Sequence, residues 1–488
     1  MNFKTITTFA MCLVLGVSFA QKDLPTDYLT ADFHKDRRAK LRASMPANSV
    51  AVFFANAIRN RANDVDYVYH QDPNFYYLTG YKEPHAVLLI FSEDQTNGDD
   101  TYNEMIFVQK RNAMAEMWTG YRLGVEGVKE KLGFTQVFNG EDFKDIPIDF
   151  SLFDKVLFTE FKNDVRDSKR NDADLYSLIE QFKSMASYEA EPSTVPANEN
   201  VVTVKTNIDV KSLRSLMASL REIKTPEEMV LLKKAVEISA VGQIEVMKAI
   251  HPDMSETEIQ GIHEFIFKKY NSEYEGYPSI VGAGHNGCIL HYTENTKQTV
   301  NKELVLMDLG AEYRGYTADV TRTIPADGTF SREQRAIYDL VYQAQEAGIN
   351  EAVVGSDMRK IDQAGRVLIN EGLVKLGIID SISQRHLYFP HGTCHHIGLD
   401  VHDLSNRGPL EPNMVITVEP GIYIPEGSDC DEKWWGIAVR IEDDILITDK
   451  GPINLSGMAP RQADEIEAMM EEESILNAFT LPNLDKEE

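Results

Sequence analysis

The sequence predicts two domains of mixed structure: an α/β domain to about residue 200, then a domain of capped helices and short buried strands. Three observations carry this. The chain has 488 residues, more than a single hydrophobic core usually serves. Residues 30 to 200 alternate compact apolar runs with helical stretches, as in an α/β domain with a mixed sheet. Residues 185–210 then turn rich in Glu, Ser, Pro, Thr and Asn, the composition of an exposed connection, and helix-start signals follow at once.

Taken in order, residues 1–20 read as an export signal. Lys4 supplies the positive start, Phe9 to Val17 an apolar run too short to span a bilayer, and Ser18-Phe19-Ala20 a small-residue cleavage site. Cleavage there would make Gln21 the first mature residue and place the protein in the periplasm or outside the cell. Cys12 lacks the small-residue context of a lipoprotein cysteine, so no lipid anchor is expected. Val50 to Phe54 and Ala86 to Phe91 have strand character. Phe75 to Gly80 reads as an aromatic strand ending at a glycine, and Trp118-Thr119-Gly120 with Arg122 and Gly124 as a turn.

A helix is expected from Ser212 to Glu222. Thr225-Pro226-Glu227-Glu228, Ser255-Glu256-Thr257-Glu258 and Ser331-Arg332-Glu333-Gln334 are capping boxes, each with a hydroxyl at the N-cap and Glu or Gln three residues on. They open three helices, and a fourth runs from Asp357 to about Gly377.

The formal net charge of -28 argues against nucleic acid and anionic membranes as partners. After cleavage, Cys288, Cys394 and Cys430 would remain, too few for a disulfide framework.

The chemistry gathers in carboxylates placed where apolar residues belong. Asp308 lies inside the apolar run Glu303 to Leu309, and Asp319 inside the β-branched run Tyr316 to Thr323. A buried carboxylate is costly unless it is paired or binds a metal. The turn at Arg314-Gly315 makes the two runs a hairpin that can bring both aspartates to one point. The alternative is that Asp308 pairs with Arg322 while Asp319 caps a turn. Glu419 ends the apolar run from Met414. Glu442 shares a strand face with Arg440, opposite Ile437, Val439 and Ile441; the alternative there is a solvated Arg–Glu pair. Between them, His391 to Asp403 holds four histidines: His391, His395, His396 and His402. Two Asp, two Glu and one His form an oxygen-rich set able to share two divalent ions. Sulfur-ligated zinc does not fit, since Cys394 stands alone.

In order and spacing, Asp308, Asp319, His395, Glu419 and Glu442 resemble the ligands of the dinuclear metallopeptidases of the pita-bread fold, which include methionine aminopeptidases, prolidases and aminopeptidases P. Ile289-Leu290-His291-Tyr292, Asp400-Val401-His402-Asp403, Val418 to Tyr423 and Gly436 to Glu442 look like aminopeptidase P. So do Asp64 to Tyr67, Asn74 to Gly80 and Trp118-Thr119-Gly120 in the N-terminal half. Residues 141–210 and the acidic tail after Pro460 have no matched motif.

The resemblance implies a non-catalytic α/β domain over 21–200 and an α+β pita-bread catalytic domain over 201–488. It implies two divalent ions, Mn²⁺ first and Co²⁺ or Zn²⁺ as substitutes. Asp308 would bind one, His395 and Glu419 the other, and Asp319 and Glu442 both, with a bridging hydroxide as nucleophile and Glu419 as proton acceptor. His291, His391 and His402 match histidines that bind substrate, stabilise the intermediate and protonate the leaving nitrogen. Arg440, Tyr423 and Asp64 match positions around the site; His396 matches none. The implied activity is removal of one residue from peptides beginning Xaa-Pro, by a homodimer or homotetramer. The alternatives are a dipeptide-restricted prolidase and a non-catalytic binding protein on the same fold.

Overall fold

A computed structural model describes residues 25–98, 100–146, 148–161, 171–188 and 207–478. The export signal, its cleavage site and Cys12 lie outside the described residues. Within them, no helix is long and apolar enough to cross a membrane, and Cys288, Cys394 and Cys430 are free thiols.

The N-terminal part is a six-stranded mixed sheet in the order Val137–Asn139, Asp100–Val108, Val87–Asn97, Ser49–Phe54, Lys155–Leu157, Ile208–Asp209. The central strand Ser49–Phe54 pairs antiparallel with Val87–Asn97 and parallel with Lys155–Leu157. Its alternate residues feed two apolar layers. Ala51 and Phe53 face the helix Ala31–Ser44, while Val50 and Val52 face Phe150, Phe158 and Phe182. The last strand lies beyond the boundary expected near residue 200. After the polar stretch the chain returns to the sheet edge, so that stretch connects two parts of one sheet.

Two local expectations fail. Pro73–Thr79 is a helix, not a strand, because Asp72 caps it, Pro73 stands in its first turn and Gly80 closes it at φ 68. A Cβ on Gly80 would lie 2.6 Å from His34 Nε2, so glycine is required on space as well as conformation. Trp118 and Thr119 end the helix Ala113–Thr119, and Gly120 is its C-cap. At Pro73–Thr79, short capping signals outweigh the strand preference of aromatic residues.

The C-terminal part repeats one order of elements. Helices Pro226–Ala249 and Glu256–Lys269 precede strands Leu304–Leu309, Ala311–Tyr313, Tyr316–Thr317 and Val320–Pro325. Helices Arg332–Glu351 and Met358–Leu376 precede strands Val415–Val418, Gly421–Ile424, Ile437–Arg440 and Asp443–Leu446. The three expected capping boxes are all formed, and Asp357 and Gly377 cap the fourth helix.

Each set of four strands makes a long antiparallel hairpin that breaks midway and passes between two sheets. In the first, Leu304–Leu309 pairs with Val320–Pro325, and Ala311–Tyr313 with Tyr316–Thr317. The break falls at Gly310, opposite Ala318 and Asp319. A Cβ there would sit 1.8 Å from the Ala318 carbonyl oxygen, so only glycine lets the two chains pass. In the second, Val415–Val418 pairs with Asp443–Leu446, and Gly421–Ile424 with Ile437–Arg440. The break falls at Glu419-Pro420, opposite Ile441-Glu442. Glu442 is therefore not within a strand, although it still lies beside Arg440.

Candidate metal centre

The two breaks put four carboxylates into one cavity of about 280 Å³, lined also by His291, His391, His395, His402 and Arg440. Strand interruption explains why acidic residues can sit there. Asp319, Glu419 and Glu442 sit where the backbone leaves the ladder, while Asp308 is still paired with Thr321, two residues before the break.

Asp308 and Asp319 each stand 2.6 Å from the Tyr277 hydroxyl. Asp308 Oδ2 also accepts from Arg440 Nη2 at 2.5 Å. Arg322, which the alternative reading paired with Asp308, pairs with Asp443 at 2.8 Å; both are fully buried, and the guanidinium also donates to the Glu442 carbonyl. The Asp319 carboxylate takes the Tyr277 hydroxyl rather than capping a turn, and its backbone N–H donates to Asp444 Oδ2 at 3.1 Å. Glu442 accepts from Thr321 Oγ1 at 2.6 Å, and Arg440 and Glu442 are both buried rather than solvated.

His395 donates from Nδ1 to the His396 carbonyl at 3.1 Å, which leaves Nε2 as the atom turned into the cavity. That atom faces Asp319 Oδ2 at 3.5 Å and Glu419 Oε1 at 3.4 Å. One donor atom each from Asp319, His395 and Glu442 lies within 4.8 Å of the others.

His391 has the same tautomer. Its Nδ1 donates to the Gly392 carbonyl at 2.8 Å, so Nε2 accepts from the Tyr423 hydroxyl at 2.8 Å. Tyr423 in turn accepts from Arg440 Nη1 at 3.0 Å. Burial pushes the His391 imidazole down to about 4, which keeps it neutral. The His402 ring meets that of His395 edge-on at 4.4 Å. His291 is exposed at the cavity wall. His396 is buried and bridges by backbone to Ile416. Burial pushes the Cys394 thiol up, so it stays protonated. Asp64 is not brought to the site: it sits in the exposed turn between Asn60–Ala62 and Val65–Asp66 and does not line the metal cavity.

Comparison with known proteins extends beyond the site. Residues 230–449 match metallopeptidase family M24, and residues 34–150 match the aminopeptidase P N-terminal domain. The Xaa-Pro aminopeptidase of Escherichia coli is 34% identical over 453 residues, 90% of this chain and 97% of that protein. The Haemophilus influenzae Xaa-Pro aminopeptidase is 35% identical over 450 residues, 89% and 96% of the two chains. This chain belongs to the Xaa-Pro aminopeptidases of metallopeptidase family M24. The structure of E. coli aminopeptidase P with the inhibitor Pro-Leu superposes with a TM-score of 0.76 at 33% identity, over 91% of this chain and 98% of that one.

The donor set of this M24 member fits divalent cations on its own electrostatics. Burial works to raise the Asp308 carboxyl, but Arg440 and hydrogen bonds from Tyr277 and Asp319 together hold it low. In the other three, His395 or Arg440 lowers the carboxyl but does not overcome burial and neighbouring negative charge. Burial and the charge of Asp308 push Asp319 up, burial takes Glu419 up to about 7, and burial with Asp319 and Glu419 pushes Glu442 well up. Burial pulls His395 down, yet Asp319 and Glu419 carry it to about 9. Fully ionised, the four carboxylates exceed the combined positive charge of Arg440 and His395, an excess that a bound cation balances.

Sequence reasoning missed Tyr277, Thr321 and Asp444. Tyr277 precedes Pro278 outside any strand longer than two residues, and nothing local marks it. Asp444 alone carried a signal, a third acidic residue in a run bound for a buried strand.

Proposed function

We propose that this chain is a metal-dependent exopeptidase that releases the N-terminal residue from peptides with proline in second position. The observation that carries this is the convergence of five metal donors and three further histidines in one cavity. Full-length likeness to Xaa-Pro aminopeptidases supports it, as does Pro-Leu as an inhibitor in the E. coli structure.

Asp308 is assigned to one ion, His395 and Glu419 to a second, and Asp319 and Glu442 to both. Mn²⁺ is the proposed metal, because carboxylates dominate the set; Co²⁺ or Zn²⁺ would substitute. Bound metal supplies a water acidic enough to ionise near neutral pH and positive charge for a developing oxyanion.

The chain's own residues supply the rest. Arg440 holds Asp308 and Tyr423, and Tyr423 holds the neutral His391 ring. Glu419 Oε2, 3.7 Å from His391 Nδ1, accepts and passes on a proton. Proline's nitrogen is a ring tertiary amide with no N–H, so it must be protonated to leave. His291, His391 and His402 share that step with substrate binding and hydrogen bonding to the tetrahedral intermediate.

The test is kcat/KM for an Xaa-Pro-Yaa tripeptide against its matching Xaa-Pro dipeptide, with Xaa-Ala and N-acetylated peptides as controls. The tripeptide should win and both controls should be poor. A faster dipeptide would make the chain a prolidase. Absence of any bindable divalent metal would leave only a binding protein. We also assign the chain to the periplasm or exterior, as a homodimer or homotetramer. An N-terminus at Gln21 and light scattering are the checks.

A further inference from the structure

The metal-site aspartates stand at one end of a small sheet whose other end is tied down by a distant segment. The sheet contains Tyr274–Glu275, Ala311–Tyr313 and Tyr316–Thr317. Its strands are held by two register pairs each, Ala311 with Glu275 and Glu312 with Tyr274, then Glu312 with Thr317 and Tyr313 with Tyr316. At the inner end the chain enters past Asp308 and leaves past Asp319, and Tyr277 follows Glu275 by two residues. At the outer end is the turn Arg314-Gly315, with φ of 53 and 90.

Asp27 and Tyr28 lie across that turn. Asp27 Oδ1 accepts from Arg314 Nε at 2.8 Å, and its other oxygen accepts from the Tyr313 hydroxyl. Tyr28 donates to Glu273 Oε1 at 2.7 Å. Glu273 in turn accepts from the Arg314 backbone N–H at 2.9 Å and from its Nη1 at 2.5 Å. The Tyr28 ring carries Lys82 Nζ 3.5 Å and the Arg314 guanidinium 4.8 Å from its centre. Arg314 is only 5% exposed, but Asp27 is 44% and Glu273 24%, so the Asp27 pair is partly screened and the Glu273 pair less so. Neither Asp27, Tyr28, Glu273 nor Arg314 lines the metal cavity.

We propose that Asp27 and Tyr28 are positioning residues: a strap that, through Arg314 and Glu273, sets the spacing of Asp308, Asp319 and Tyr277 for metal. On one side the aspartates are held by the six-pair ladder of Leu304–Leu309 with Val320–Pro325; on the other, the two-pair ladders of the small sheet are the weaker support against two buried carboxylates that repel. Fixing the outer turn fixes both chains that lead inward. The strap spans nearly 290 residues of sequence, from Asp27 to Arg314 (|i−j| = 287).

The inference rests on Asp308 and Asp319 being ligands, and its test keeps the two apart. Full-length protein is stripped of metal and titrated with Mn²⁺ by calorimetry, and Tm is measured with and without Mn²⁺. The Asp27→Ala/Tyr28→Ala variant should bind Mn²⁺ about 10-fold more weakly, as for residues supporting metal ligands. Its Tm gain on adding Mn²⁺ should shrink accordingly. Tyr28→Phe, which keeps the ring over both cations, should lose less than Asp27→Asn. Should the double variant not fold, these two near-isosteric variants carry the same comparison. Equal loss of Tm in both forms with unchanged affinity would overturn the strap. No Mn²⁺ binding by the unaltered protein would instead remove the ligand assignment.

Discussion

Tyr277 has one hydroxyl proton and two carboxylate neighbours, each 2.6 Å away. It can donate to only one at a time, so it holds Asp308 and Asp319 together without neutralising them. Tyr277→Phe should keep the packing and weaken metal binding about 10-fold, read by calorimetry. The ligands themselves should behave more sharply. Glu442→Gln and Asp319→Asn each replace a charged two-oxygen donor with an amide, so metal content and activity should fall together. His402→Ala should differ, retaining metal while turnover drops about 10²-fold, because a proton-transfer or hydrogen-bonding group is lost. Metal analysis beside single-turnover rates separates the cases. A metal-free His402 variant would mean that ligands and helpers have been exchanged.

Among elements, the broken hairpins do the positioning and the capped helices support them. Glu228 shows the link. One of its oxygens closes the capping box on the Thr225 N–H at 2.9 Å, and the other accepts from Tyr316 of the first hairpin at 3.0 Å. Thr225→Ala should cost about 1 kcal/mol and leave metal affinity alone, since it removes one capping bond. Gly310→Ala should cost at least about 2 kcal/mol and lower metal affinity too, because its Cβ meets backbone that cannot move aside. Denaturant unfolding with and without metal tests both. Equal metal affinity in the Gly310 variant would show that the break is not what places Asp308 and Asp319.

At the scale of the whole molecule, a histidine contact joins the N-terminal and catalytic parts. His70 Nε2 lies 2.9 Å from Glu312 Oε2, and hydrogen bonding to Glu312 raises the imidazole above 6.5. Its folded value exceeds its unfolded one, so its stabilisation is complete below 6.5 and is lost as pH rises through the raised value. The side chain is 45% exposed, which screens the pair and keeps its contribution small. The Tm difference between the unaltered protein and His70→Ala should therefore be larger at about pH 5.5 than at about pH 9. A difference that does not change with pH would mean that His70 contributes packing alone.

The helices of the catalytic part, the buried strands and the five candidate donors that line one cavity were legible in the sequence. Caps, alternation and misplaced carboxylates are signals between near neighbours, and they need no knowledge of where the chain goes next. The helix at Pro73–Thr79 was legible too, in Asp72 and Pro73, but the aromatic run after them concealed it. What only the tertiary structure decided is how distant segments meet. Arg440 pairs with Asp308 across 132 positions and Arg322 with Asp443 across 121, the reverse of what proximity in sequence suggested. The repeat of two helices and a broken hairpin, the Tyr277 bridge and the Asp27–Tyr28 strap likewise leave no mark in any window of sequence. The physical reason is that a side chain's partner is set by which strands and helices pack together. Long-range packing is a property of the whole core, whereas a cap or an alternating run is complete within a few residues.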